Sequence, residues 1–195
     1  MRRILFACAA VVPALVAGCT PAAQPTPSAT PVPTVAAPTL QRMCTPEEGG
    51  TAAPCTQAEY DAMIARDKLY DEAKAVLDRF YKESERLARE GKPASEELLG
   101  QTAGEFTQMT REDYSQGISY EGGEFKIVWV KRLVGENVEG STLALQACTD
   151  TSSISVKQAG KELGPGRLSE QQYFFAETPE GLRIVEANNL EVESC

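Results

Sequence analysis

The sequence predicts an α+β fold in which helices come first and an antiparallel meander follows. Three observations carry this expectation. Between Thr56 and Gly91, Tyr60, Met63, Tyr70, Ala73, Leu77, Phe80 and Leu87 recur at three- and four-residue steps, which places one apolar stripe on a long helix. From Phe125 to Leu133 the period changes to two, with Phe125, Ile127, Trp129 and Leu133 alternating with Lys126, Val128, Val130 and Arg132. About 140 residues follow Cys55 in this order, enough to bury a sizeable core in one domain.

Each element has its own signal. Thr56 caps the long helix and Glu59, three residues on, completes a capping box, while Gly91 and Pro93 stop it. Asp78 with Lys82 and Glu85 with Arg89 are i,i+4 pairs on the solvated face. The stripe spans only about four heptads and the strands after it need cover, so packing within the chain is expected rather than a coiled coil. Ser95 caps a short helix through Leu99, and a further helix from Phe106 to Gln116 turns Phe106, Met109 and Tyr114 inward. After the strand of 125–133, residues 135–140 form a loop, and Leu143, Leu145 and Ala147 continue the period of two. A short strand near Ile154 to Lys157 precedes a glycine-rich break at Gly164-Pro165-Gly166. Tyr173 to Ala176 and Leu182 to Val185 flank Thr178-Pro179-Glu180-Gly181 as a hairpin, with the last strand expected to break at Asn188-Asn189.

The first residues have a different logic. Met1-Arg2-Arg3, an apolar run from Ile4 to Ala17 and Gly18-Cys19 read as an export signal ending in a lipobox, with Cys19 as the first mature residue carrying an acyl group such as palmitate. The apolar run is about 14 residues, short of the roughly 20 that span a bilayer. Residues 19–55 are then a tether rich in Pro, Ala and Thr, and residues 56–195 the domain. This organisation predicts a cell-membrane, extracytoplasmic protein held by its lipid.

Of the six cysteines, Cys8 leaves with the leader and Cys19 is acylated, so Cys44, Cys55, Cys148 and Cys195 remain. Three connectivities are possible. Cys44 with Cys55 and Cys148 with Cys195 is the favoured one, since the first closes a short loop and the second pins the chain's last residue to a strand. Histidine is absent and no Cys-x-x-Cys pair occurs, so neither a metal site nor another cofactor is expected. The formal net charge is −9, and loss of Arg2 and Arg3 leaves 17 basic against 28 acidic residues, −11. That balance sets aside nucleic-acid binding, which needs a cationic field, and electrostatic docking on anionic lipid.

The chain resembles the NTF2-like superfamily, including its SnoaL-like branch, and most of all small actinobacterial lipoproteins of that type. The resemblance lies in Gly117-Ile118-Ser119-Tyr120-Glu121-Gly122, Ala147-Cys148-Thr149-Asp150-Thr151-Ser152, and Gly181-Leu182-Arg183-Ile184-Val185 with Cys195. It implies a long helix across a strongly curved sheet, a cone with one open end, and a pocket between helix and sheet. Proteins of this scaffold include isomerases, cyclases and dehydratases beside non-catalytic binding domains, and fold alone does not choose among them. Without histidine, proton transfer would fall to a buried carboxylate with a tyrosine at the oxyanion. Asp113, Tyr114, Tyr120, Asp150 and Tyr173 are the candidates. Trp129 is a further pocket candidate, for stacking on a ligand, while Asp113 also suits a solvated helical face, Asp150 a turn bonded to its own backbone, and the tyrosines and Trp129 a packed core. The expected function is a non-enzymatic domain binding a small apolar molecule or a cell-envelope protein. The alternative is a histidine-free enzyme of the isomerase or cyclase kind.

Overall fold

A computed structural model describes residues 41–47 and 49–195. Cys19, the leader and most of the proline tether lie outside the described residues. Elements in chain order are β1 (Arg42–Cys44), β2 (Ala53–Cys55), α1 (Gln57–Glu90), α2 (Glu96–Leu99), α3 (Gly104–Ser115), β3 (Ile118–Glu121), β4 (Lys126–Leu133), β5 (Leu143–Asp150), β6 (Ser155–Gln158), β7 (Lys161–Pro165), β8 (Leu168–Thr178) and β9 (Gly181–Glu191). The fold is α+β, with a long helix laid over antiparallel sheets of order β4-β5-β8-β9 and β3-β6-β7.

Local chemistry places α1 where expected. Thr56 Oγ1 accepts from the Glu59 amide at 3.2 Å while the Thr56 amide donates to the Glu59 carboxylate at 2.7 Å. Gly91 ends the helix in the left-handed conformation. Lys82 meets Asp78 and Arg89 meets Glu85, both at 2.8 Å. Eight residues of α1 are buried, Tyr70, Ala73, Val76, Leu77, Tyr81, Glu83, Leu87 and Ala88, and the first five of them pack on Leu143, Leu145, Ala147, Tyr173, Phe175, Leu182 and Ile184.

The first two residues of the expected stripe do something else. Tyr60 lies under the Arg42 guanidinium at 5.0 Å, and Met63 Sδ accepts from the Thr45 amide at 3.2 Å. Both meet a hairpin, β1 with β2, inside the stretch read as tether. A three-residue strand is too short for a periodic signal, and its cohesion comes from the Cys44–Cys55 disulfide and from Arg66, which donates to the Pro46 and Thr45 carbonyls. The Cys148–Cys195 disulfide closes the other end.

Two sheets arise from one bent ribbon. β5 leads into β6 and β7 into β8 around a corner where the Thr151 amide bonds Arg167 O at 3.1 Å and the Gly166 amide bonds Ile154 O at 2.8 Å. The backbones touch so closely that a Cβ on Gly166 would stand 2.3 Å from Thr151 O, and one on Gly123 2.2 Å from Ser153 O. These contacts admit only glycine.

Several expectations are corrected. Gly164 and Pro165 close strand β7 rather than break the chain, with Ala159-Gly160 making the turn between β6 and β7. Asn188 and Asn189 do not interrupt β9; they pair with Gln172 and Gln171, and the irregularity falls earlier, beside Phe174 and Phe175. Met109 is not inward but about half exposed, on the rim of a cavity. Trp129 is not core: a bulge between Ile127 and Trp129 adds one residue to β4 and reverses its alternation. Val130 and Arg132 therefore turn to the helix side, where Val130 joins the core and Arg132 covers the Tyr70 ring at 4.5 Å. Trp129, on the outer face, carries Lys131 Nζ at 4.0 Å from its ring centroid.

Candidate functional site

Side chains alternate along β8, so Phe175, Tyr173, Gln171 and Ser169 share its concave face, with Phe175 and Tyr173 packed against the helices. Phe175 is sealed against α1. From Tyr173 onward the layers part, leaving a cavity of about 360 Å³ floored by Tyr173 and Gln171 and walled by α1, α3 and β9. Phe80, Phe106 and Phe125 supply its apolar sides, and Tyr81, Tyr114, Tyr120 and Tyr173 converge on it. The aromatic contacts are mostly edge-on: Tyr81 and Tyr173 meet at 5.7 Å and 83°, Phe80 and Tyr173 at 6.2 Å and 64°.

A single carboxamide organises the floor. Tyr81 Oη donates to Gln171 Oε1 at 2.6 Å and Tyr173 Oη donates to the same oxygen at 2.5 Å. Two phenol donors on one atom identify it as the oxygen and orient the Gln171 Nε2 group the other way. Tyr114 Oη donates to Ser84 O at 3.1 Å, which fastens α3 to α1.

Burial pushes every one of these phenols further from ionisation. Tyr173 is raised well above the usual range by desolvation, and its phenol neighbours Tyr81, Tyr114 and Tyr120 add to the shift. Tyr81 is raised mainly by desolvation. Burial takes Tyr114 up to about 12 despite its bond to Ser84 O, and Tyr120 also rises through burial and the nearby Glu85 charge. All four are neutral hydroxyls at physiological pH.

Of the residues singled out in the sequence, Tyr114, Tyr120 and Tyr173 meet at this cavity, and Asp113 lines its mouth from an exposed position on α3. Asp150 and Trp129 do not join them. Asp150 accepts from the Ser152 amide at 2.9 Å and the Ser152 hydroxyl at 2.6 Å, a closed turn whose bonds hold its carboxyl below the usual range. Tyr81 and Gln171 escaped notice. Tyr81 sits beside the stripe residue Phe80, and Gln171 would have appeared had the alternation of Tyr173 and Phe175 been run two residues backward.

Among the described residues no cluster of metal-ligating side chains occurs, and no helix is long and apolar enough to cross a membrane. No protein-family model matches the chain, and no curated protein does. Among solved structures, an NTF2-like protein with a cystatin-like fold from Novosphingobium aromaticivorans is similar at 18% identity and a TM-score of 0.37, covering 72% of this chain and 92% of that one.

Proposed function

We propose that this chain is a lipid-anchored, extracytoplasmic NTF2-like binding domain, non-enzymatic, whose aromatic cavity takes a small, largely apolar ligand. The observation that carries the reading is the cavity itself: four un-ionised phenols and a carboxamide around aromatic walls, with Asp113, the one lining carboxylate among the described residues, out at the mouth. A proton-transfer enzyme needs a base within hydrogen-bond reach of the substrate, poised near neutral pH. Phenols raised by burial donate hydrogen bonds without giving up protons, which suits holding a ligand. The membrane partner is reached through acyl-Cys19, for which the support is the lipobox at residues 16–19.

Native mass spectrometry of the mature protein, released from its own envelope in mild detergent, tests the binding reading. A non-covalent adduct is expected, and Phe106→Trp, which fills the cavity, should remove it. An adduct indifferent to that substitution overturns the site. Turnover that collapses in the Asp113→Asn, Asp150→Asn double variant with folding intact would establish the isomerase or cyclase class instead. For the anchor, Cys19→Ser should abolish acyl labelling and release the chain from the membrane fraction; retention there would refute lipid attachment.

A further inference from the structure

Beyond the aromatic cavity lies a second one of about 530 Å³, in the angle of the bent ribbon between β8 and the β6–β7 hairpin. Tyr120, Phe125, Gln171 and Asn189 line both. Its own lining is polar, with Thr149 and Ser169 at the base and Arg167 paired to Glu191 at the edge. Along β8 the inward side chains thus run from Tyr173 to Gln171 to Ser169, from aromatic to carboxamide to hydroxyl, over about 13 Å.

Hydrogen-bond accounting shows what this polar end lacks. Thr149 Oγ1 and Ser169 Oγ lie 3.0 Å apart in a buried pair with 2% and 8% of the residues exposed. One hydroxyl donates to the other, which leaves one O–H with no acceptor among the described residues. Gln171 spends its oxygen on two phenols, and neither N–H of its Nε2 finds an acceptor among the described residues. Half-buried donors without partners cost free energy until a ligand or water supplies oxygen.

We infer that the two cavities form one elongated site for an uncharged amphipathic molecule. Its apolar part lies among the phenyl rings, and its oxygen-bearing head, of hydroxyl or glycoside type, accepts from Gln171 Nε2 and the Thr149–Ser169 pair. This rests on the binding reading above and adds the ligand's polarity and direction. An anionic head is disfavoured because Glu191 stands beside Ser169 in the sheet register and already neutralises Arg167.

The test is calorimetry on the full mature chain carrying Cys19→Ser, so that no bilayer competes for probe, with phenyl β-D-glucoside, phenol and phenyl sulfate. The glucoside should bind at least tenfold more tightly than phenol, and phenyl sulfate no more tightly than phenol. Thr149→Val with Ser169→Ala should bring the glucoside down to the phenol affinity and leave phenol unchanged. If that variant does not fold, amide chemical shifts of the parent decide: the glucoside must move Thr149 and Ser169 signals that phenol leaves in place. Phenol bound with no glucoside advantage overturns the elongated site and spares the aromatic cavity. No binding by any probe overturns both, and tightest binding by phenyl sulfate overturns the uncharged head.

Discussion

The two ends of the concave face are built from the same strands and the same helix, yet one is solid and the other hollow. At the solid end Tyr70, Ala73 and Leu77 of α1 interlock with Leu143, Leu145, Phe175 and Ile184, nearly all sealed from solvent. At the hollow end Tyr81 and Tyr173 make the last close layer, and α3 with β3 stands off to enclose a cavity. The solid end secures the fold through apolar burial, which tolerates no vacancy. The hollow end is held by directed hydrogen bonds that converge on Gln171, and its geometry is specified by polar partners rather than by volume.

The contrast breaks most visibly at Phe175. Phe175→Ala should cost about 3–5 kcal/mol in denaturant unfolding, through lost burial and a residual void, while ligand adducts of the folded fraction stay as they were. An equal loss of adduct would mean that the two ends are not separate in function. At the hollow end, Tyr81→Phe and Tyr173→Phe should each cost about 1 kcal/mol, because the other phenol still satisfies Gln171 Oε1. The double variant should cost more than their sum, since it strands that oxygen. Additive or smaller losses would remove Gln171 from its organising place.

The smallest effect lies further along α1, at the buried Glu83. Glu83 accepts from Arg86 Nη2 at 2.6 Å and from Ser95 Oγ at 2.6 Å. The Arg86 bonds, opposed by burial and aided by Ser95, hold its pKa below the ordinary glutamate value. The folded pKa is therefore the lower one, so the contribution is complete above the unfolded pKa, about 4.3, and is lost as pH falls through the folded value. Urea midpoints between about pH 6 and 3 should decline less steeply for Glu83→Gln than for the parent. Parallel declines would place the acid sensitivity elsewhere, for example at Asp67, where burial raises the pKa but bonds from Arg66 and Arg132 outweigh it.

The bulge in β4 shows why a legible strand can still mislead. Period-two alternation located the strand, which spans Lys126–Leu133, but one inserted residue moved Trp129 outward and Arg132 inward. No local signal marks that insertion, because it exists only in the pairing of β4 with β5. The candidate site was half legible for a related reason. Tyr114, Tyr120 and Tyr173 stood out by residue type, whereas Gln171 is placed by two phenols, one of them 90 residues away.

Local periodicity and capping chemistry, each acting over a few residues, are enough to specify the α+β order, the capped helix, its ion pairs and the β8–β9 hairpin. The choice among three cysteine pairings, the disulfide-clasped hairpin on α1, the outward turn of Trp129 and the two cavities that share Gln171 emerge in the tertiary structure alone. These depend on close backbone contacts and shared hydrogen-bond acceptors between segments far apart in the chain, which no single stretch encodes.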